Sequence, residues 1–281
     1  MVKIVGASTS GISPETARQL DITVLPLRVL FGTETLRDGV DISNEAFIDR
    51  LVKSKEFPTT SQPPAGDFLE VYKALRGAGH EVLCVLLSNK LSGTIVSANT
   101  AWVEMNHDRG IAIFDTLNVA AGEAIQVVEA ARMAQAGSTL AEIVRRLEAM
   151  RDQVHLLFVL DTLEYLAKGG RIGNVQAFIG TMLQMKPLLE IKEGVIEGAA
   201  KVRTKAKAQA HLREIIDEAM RGKSKAQMSV IHTRNKAEAN ALADELRRKY
   251  NLTECPVYTV SPAVGAHAGP GALGVAYYIE E

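Results

Sequence analysis

Two hydroxyl-rich segments are the first candidates for chemistry in this chain. Residues 58–63 read PTTSQP, which predicts a turn that holds Thr60 and Ser61 between prolines. Residues 88–94 read SNKLSGT and follow an apolar run, so Ser92 precedes a predicted helix whose first backbone N–H groups are free. Hydroxyl and N–H donors in such positions can hold a carboxylate or another anion. N-capping of the following helix is the structural alternative for both segments.

Glycine-rich and basic segments supply the remaining candidate residues. Arg171 lies in the sequence KGGRIG and Arg203 in the sequence KVRT. An arginine guanidinium can donate two parallel hydrogen bonds to a carboxylate or phosphate. His267 lies in the sequence VGAHAGPGALG, which predicts a turn where the backbone could approach a ligand. Exposed arginines and a structural histidine are the alternatives.

Nucleotide and metal motifs are not found at these segments. Lys90 precedes Gly93, so the spacing of a phosphate loop is absent around Ser92. Residues 269–274 match GxGxxG, but a β-like VAYYI follows them where a dinucleotide site needs a helix. The two cysteines form no CxxC motif. We therefore expect no nucleotide, no metal and no other cofactor.

Alternating strand and helix patterns must position these candidate residues. Ser13 followed by Pro14 predicts a helix start after the first strand, and Thr139 with Glu142 predicts a capping box. The apolar run 82–87 is typical of a strand covered on both faces. The alternation predicts an α/β fold built around a mainly parallel, layered sheet in its N-terminal part.

A second α/β unit with a mixed sheet is predicted from the C-terminal half. We place the two domains at residues 1–152 and 153–281, with the ligand site near their junction. The second domain should contain a helix near 175–185, a hairpin turning at Glu193 and Gly194, and a basic helix from about 204 to 220.

The charge and hydrophobicity of the sequence limit the classes of molecule that the chain is expected to bind. Lys and Arg number 32 against 33 for Asp and Glu, so the net charge of -1 provides no field that attracts nucleic acid. The first residues, MVKIVGASTSG, predict no signal peptide, and nowhere do 18 apolar residues follow one another. We expect a cytoplasmic protein. The basic segment 201–221 is a candidate for a partner surface or a transient membrane contact, with a solvated helix as the alternative.

Ordered motifs along nearly the whole chain resemble those of the DegV family of bacterial fatty-acid-binding proteins. They are PLRV at 26–29, RDGVDI at 37–42, PTTSQP at 58–63, LSGT at 91–94, DTLEYL at 161–166, GGRI at 169–172, KVRT at 201–204 and GAHAGPGALG at 265–274. The resemblance implies two α/β domains that bind a long-chain fatty acid, with its carboxylate near the domain junction.

The resemblance also implies roles for residues and a partner. Thr60, Ser61, Ser92 and His267 would hold the carboxylate, with Arg171 and Arg203 nearby. The chain would not be an enzyme itself. It would present its fatty acid to a separate ATP-binding kinase subunit, which makes an acyl phosphate for phospholipid metabolism.

The chain departs from the family pattern at a few positions, and two alternatives to fatty acid binding stay open. Many relatives begin with Val-Thr-Asp-Ser, whereas residues 5–8 read VGAS, and Ala266 and Ala268 stand where threonines are usual. One alternative is a serine hydrolase with Ser92 as nucleophile and His267 as base, although no GxSxG sequence surrounds Ser92. The other is a sensor for a smaller carboxylate, which would differ in the size of its pocket.

Overall fold

The computed structural model describes residues 1–54, 56–175 and 186–280. The strands within these residues are β1 (Val2–Ala7), β2 (Ile22–Leu25), β3 (Arg28–Phe31), β4 (Glu34–Arg37), β5 (Thr59–Ser61), β6 (Glu81–Leu86), β7 (Ile111–Asp115), β8 (Val154–Val159), β9 (Lys186–Lys192), β10 (Val195–Val202), β11 (Ala226–His232), β12 (Val257–Thr259) and β13 (Leu273–Ile279). The helices are α1 (Pro14–Gln19), α2 (Asn44–Lys53), α3 (Ala65–Gly77), α4 (Thr94–Glu104), α5 (Ala121–Gln135), α6 (Leu140–Arg151), α7 (Glu164–Lys168), α8 (Lys205–Ala219), α9 (Lys236–Lys249) and α10 (Pro262–Ala268).

The first large sheet is parallel, with the strand order β2-β1-β6-β7. Strand β6 is buried from Val82 to Leu86, as its unbroken apolar run predicts. Parallel strands end at the same edge of their sheet, and that edge is where open α/β sheets bind ligands. The segments that follow Ala7, Leu86 and Asp115 therefore lie side by side.

The second large sheet is mixed, with the strand order β10-β9-β8-β13-β11-β12. Strands β11 and β12 are parallel, and the other neighbouring strands are antiparallel. The predicted α/β fold with one parallel and one mixed sheet is confirmed. A small antiparallel sheet, β4-β3-β5, was not predicted. Because Thr60 and Ser61 lie in β5, the turn predicted at 58–63 is wrong: this segment pairs with β3.

Helix α5 lies between the two large sheets and is buried on nearly all sides. Six of its fifteen residues are Ala or Gly, which lets both sheets approach its backbone. One hydrophobic core joins Leu83 of the parallel sheet, Ala130 of α5 and Phe158 of the mixed sheet. The strands of the parallel sheet end at Asp115 and those of the mixed sheet begin at Val154. The division into domains at 152/153 stays a prediction.

Short capping and turn motifs in the sequence correctly predicted where two helices begin and where one hairpin turns. The Ser13 side chain accepts a hydrogen bond from the backbone N–H of Thr16, and Thr139 and Glu142 form the predicted capping box. The predicted hairpin is formed by β9 and β10. Its turn residues, Glu193 and Gly194, have left-handed backbone angles, with φ values of 48° and 78°.

The predicted basic helix is α8, which Thr204 caps. Lys201 and Arg203 of the basic segment precede the helix and are exposed. The helix predicted near 175–185 lies outside the described residues, apart from Val175. In the part of the chain that the structure describes, no helix has the length and apolar character needed to cross a bilayer.

Candidate ligand-binding site

An apolar cavity lies between the two large sheets and α10. It spans about 870 Å³ of space between protein atoms, part of it open to solvent. Its wall combines side chains from the parallel-sheet half, from β8 and from the β9–β10 hairpin, among them Leu27, Leu87, Leu156, Phe158, Ile191 and Ile196. A ligand that fills this space is largely hydrocarbon.

Segments that are distant in the sequence meet at a polar part of the cavity wall. Thr60 Oγ1 lies 2.8 Å from His267 Nε2. The other edge of the imidazole packs so closely on Gly169 that a Cβ there would overlap His267 Nδ1. Arg171 then extends this contact to the segment before α4, because its Nε donates to the carbonyl oxygen of Leu91 at 3.1 Å.

The segment before α4 also contacts β5. A Cβ on Gly93 would lie 2.9 Å from Gln62 Nε2, so the Gln62 amide packs directly on that backbone. Ser92 Oγ lies 2.9 Å from Thr94 Oγ1. The structure therefore brings together most of the predicted site residues. Those that line the cavity are Thr60, Ser61, Ser92, Arg171 and His267.

His267 is neutral at neutral pH. Burial, and then the charge of Arg171, lower the pKa of His267 to about 4. Its Nδ1 is buried and has no hydrogen-bond partner among the described residues. A proton on Nδ1 would be unsatisfied, so we assign the proton to Nε2, which donates to Thr60 Oγ1. The hydroxyl hydrogen of Thr60 is then free to donate to a ligand.

A short helix, rather than the predicted turn, carries His267. The prediction of a glycine-rich turn is wrong here because Ser261 caps α10 and Pro262 occupies its first position. His267 lies in the last turn of this helix. Regular helix hydrogen bonds therefore hold the backbone of this residue, and the contact with Thr60 sets the direction of the imidazole.

A buried aspartate joins α10 to the N-terminal strands. Asp38 is only 2% exposed, and its Oδ2 accepts hydrogen bonds from Ser8 Oγ at 2.8 Å and from the backbone N–H of Ala263 at 3.3 Å. Burial raises the pKa of Asp38, and these hydrogen bonds oppose the shift. The sequence analysis did not select Asp38 as a site residue, although it lies in the RDGVDI motif.

Arg203 lies apart from the other predicted residues. It is exposed in the turn before α8 and is not among the residues that line the cavity. Its role stays a prediction.

The geometry does not favour the hydrolase alternative. His267 Nε2 pairs with Thr60, while Ser92 Oγ pairs with Thr94. A serine nucleophile needs a base within hydrogen-bond reach, and the described residues show no such bond between Ser92 and His267. Likewise, no group of three or more His, Cys, Asp or Glu side chains among the described residues could hold a metal ion.

Comparison with known proteins identifies the family. A family model described as "Uncharacterised protein, DegV family" matches residues 1–280. The chain belongs to the DegV family. A DegV domain-containing protein of Halalkalibacterium halodurans is 34% identical over 287 residues, covering 100% of this chain and 99% of the relative. The protein DegV of Bacillus subtilis is 33% identical over 277 residues, covering 98% of each.

Solved structures of DegV proteins share this fold. A Thermus thermophilus DegV family protein, described by its fatty acid binding, is 30% identical with a TM-score of 0.92, and the match covers 99% of both chains. Bacillus subtilis DegV, described as a fatty acid binding protein, is 32% identical with a TM-score of 0.90 and the same coverage. A stearic acid-binding protein from Eubacterium ventriosum is 26% identical with a TM-score of 0.92, covering 99% of this chain and 98% of that one.

Two further polar residues of this DegV chain line the cavity but were missed as site residues. They are Gln62, within the PTTSQP motif, and Thr9, which follows β1. The motif itself was a signal for Gln62. No local signal marks Thr9, because its hydrogen-bond partner, Glu123, lies 114 positions further along the chain.

Proposed function

We propose that this chain binds a long-chain fatty acid, with the hydrocarbon in the cavity and the carboxylate at Thr60, Ser61, Ser92 and His267. The observation that carries the proposal is an apolar cavity with a polar wall, in which Thr60 Oγ1 lies 2.8 Å from His267 Nε2. With the proton assigned to Nε2, the Thr60 hydroxyl is free to donate to a carboxylate. The fatty acid binding described for the Thermus thermophilus and Bacillus subtilis structures supports it.

The hydrocarbon supplies most of the affinity. Burial gains about 0.8 kcal/mol per CH₂, or about 12 kcal/mol gross for about fifteen of them, before the costs of association. The polar residues set the direction in which the acid lies. Hydroxyl donors stabilise the charged carboxylate, since hydrogen bonds to an ionised acceptor are stronger than neutral ones.

Arg171 provides the positive charge near the carboxylate. Its Nε and Nη1 donate to the carbonyl oxygens of Leu91 and Gly169, at 3.1 and 2.7 Å. These bonds hold the guanidinium in one place. Its positive charge therefore acts on the carboxylate, and binding does not have to order the arginine side chain. The same charge helps to keep His267 neutral.

The bound acid would then be presented to a separate ATP-dependent fatty acid kinase subunit, which forms the acyl phosphate. Arg171 and Arg203 would stabilise the charge of the incoming phosphoryl group. This role assumes a cytoplasmic protein that contacts membranes only transiently, and it places the chain in phospholipid metabolism. Acyl-phosphate formation by the kinase pair should fall at least tenfold with Arg203→Ala. An unchanged rate would remove Arg203 from the proposal.

Thr60→Val tests the carboxylate site, because valine keeps the shape of threonine and removes the hydroxyl. Hydrogen bonds to charged groups contribute about 1.5–3 kcal/mol, so we expect fatty acid affinity to fall about 10- to 100-fold. Titration calorimetry of the delipidated protein with palmitic acid measures this change.

Thr59→Val is the matched control, since Thr59 is exposed on the same strand and does not line the cavity. It should bind palmitic acid as the unaltered protein does. Equal affinities of the two variants would contradict a carboxylate at Thr60, and the absence of any palmitic acid binding would contradict the proposed function as a whole.

A further inference from the structure

A polar pair stands in the cavity wall outside the hydrogen-bond network of the carboxylate site. Thr9 lines the cavity from the 3₁₀ turn Ser8–Ser10 and is 2% exposed. Its Oγ1 donates to Glu123 Oε2 at 2.7 Å. Neither residue is bonded to Thr60, Ser92 or His267.

Glu123 lies directly behind this wall. It is fully buried in the first turn of α5, and the two residues that hydrogen-bond its carboxyl group, Thr9 and Leu87, both line the cavity. Burial raises the pKa of Glu123 well above its ordinary value, which favours the neutral acid. Its second oxygen, Oε1, is buried and makes no hydrogen bond of good geometry among the described residues, although the backbone N–H of Leu87 acts on the carboxyl group and opposes the rise in its pKa.

A wall that contacts only hydrocarbon does not need this pair. A buried carboxyl oxygen without a partner destabilises the fold, and a valine and a leucine would fill the same space without that penalty. With Oε2 as the carbonyl oxygen of the neutral acid, Glu123 accepts the one hydrogen of the Thr9 hydroxyl, and the two lone pairs of Thr9 Oγ1 stay free. Because Thr9 lines the cavity, it can accept a hydrogen bond there in this arrangement.

We infer that the cavity takes long-chain fatty acids that carry a hydroxyl group on the hydrocarbon chain, with this hydroxyl donating to Thr9 Oγ1 and Glu123 holding Thr9 in position. The inference rests on the proposed function and names its substrate class. Unsubstituted fatty acids occupy the same cavity and leave the Thr9 acceptor unused.

A hydroxyl on the fatty acid chain should raise the affinity for this site, whereas it should lower the affinity for a tunnel lined only by apolar groups. A hydroxyl moved from water into an apolar cavity without a partner is penalised, so a plain tunnel binds a hydroxy acid at least 10-fold more weakly than the parent acid. With an acceptor in the wall, the hydroxy acid gains one neutral hydrogen bond and binds about 3- to 10-fold more tightly.

The experiment compares stearic acid with hydroxystearic acids whose hydroxyl stands near the carboxylate, at mid-chain or near the methyl end. Dissociation constants are measured by titration calorimetry on the delipidated full chain. We expect one position of the hydroxyl to bind about 3- to 10-fold more tightly than stearic acid. In Thr9→Val, the ratio of hydroxystearic to stearic affinity at that position should fall at least 10-fold.

Two controls accompany the variant. Thr9→Ser keeps a hydroxyl and should keep the preference, and Thr59→Val should show the ratio of the unaltered protein. Rejection of every hydroxystearic acid by the unaltered protein, with stearic acid still bound, would overturn this inference alone. An equal loss of both acids in Thr9→Val would overturn it as well. If neither stearic acid nor any hydroxystearic acid binds, the proposed function falls together with the inference.

Discussion

At the scale of single residues, the proposed carboxylate site depends on three side chains. In that proposal Arg171 supplies charge, Thr60 supplies a hydrogen-bond donor, and His267 orients Thr60 while staying neutral. Burial, and then the charge of Arg171, disfavour the positively charged form of the imidazole. Gly169 completes the arrangement, since a side chain there would displace the ring.

The low pKa of His267 makes a prediction about folding. In the folded protein this pKa is about 4, below the ordinary 6.5, so the unfolded chain binds more protons between these two values. The contribution of His267 to stability is therefore full above about pH 6.5, decreases as the pH falls toward 4, and is lost below it. Between pH 7 and pH 5 the unaltered protein should lose about 2 kcal/mol more than His267→Gln.

Urea unfolding of both proteins at these two pH values measures the difference. A third measurement at pH 8 is the control, because the two proteins should lose nearly equal stability between pH 8 and pH 7. If His267→Gln matches the unaltered protein between pH 7 and pH 5 as well, the imidazole is not neutral in the fold.

Residues with a local motif could be found from the sequence, and residues with distant partners could not. Thr60, Ser92, Arg171 and His267 stood in recognisable segments and do line one cavity. Their roles toward a ligand stay predictions. Asp38 was missed because its hydrogen-bond donor in α10, the backbone N–H of Ala263, lies 225 positions further along the chain. No spacing in a single sequence reveals such a pair.

At the scale of elements, hydrophobic periodicity and caps predicted the long helices and strands, whereas short elements were missed. Strand β5 has three residues and exists through its pairing with β3, so its prolines and hydroxyls resemble a turn. Helix α10 contains glycine, which disfavours helix, yet Ser261 and Pro262 provide the same start signal that predicted α1. That signal could have placed His267 in a helix.

The β9–β10 hairpin is the element that connects the two sheets across the cavity. Ile191 and Ile196 of the hairpin line the cavity, and its turn lies on the parallel-sheet half. There, Ser88 Oγ donates to the carbonyl oxygen of Gly194 at 2.8 Å. The position of this turn therefore sets one wall of the binding site.

Gly194→Ala should displace the hairpin turn. Gly194 has a φ of 78°, and a Cβ there would overlap Ser88 Oγ, so alanine adds a steric clash to its backbone strain. Gly79→Ala is a matched control, with a φ of 80° and nothing within 4 Å of the added Cβ. We expect Gly194→Ala to lower the free energy of unfolding by about 1–3 kcal/mol more than the control.

Urea unfolding measures both variants, and calorimetry with palmitic acid shows whether the cavity wall has moved. Affinity should decrease in Gly194→Ala and be retained in Gly79→Ala. Equal destabilisation by the two substitutions would mean that Ser88 yields to the added methyl group and that the turn is not fixed by this contact.

At the scale of the whole molecule, the two sheets share a core through α5. This helix is buried against both, and one continuous cluster contains Leu83, Ala130 and Phe158. The sequence indicated two α/β units, because composition and periodicity report on strands and helices one at a time. The sequence could not show that a single helix is covered by both sheets, since α5 reads as an ordinary apolar helix.

A shared core predicts that both sheets unfold together. Trp102, the only tryptophan of the chain, lies in α4 of the N-terminal half, while far-UV circular dichroism reports on both halves. In urea, the two signals should follow one transition with the same midpoint. Palmitic acid at 100 times its dissociation constant should raise the free energy of unfolding by about 2.7 kcal/mol for both signals. The contrary result is two unfolding steps in circular dichroism, with Trp102 fluorescence changing in only one of them. The sheets would then belong to independent domains, and α5 would remain with one sheet when the other unfolds.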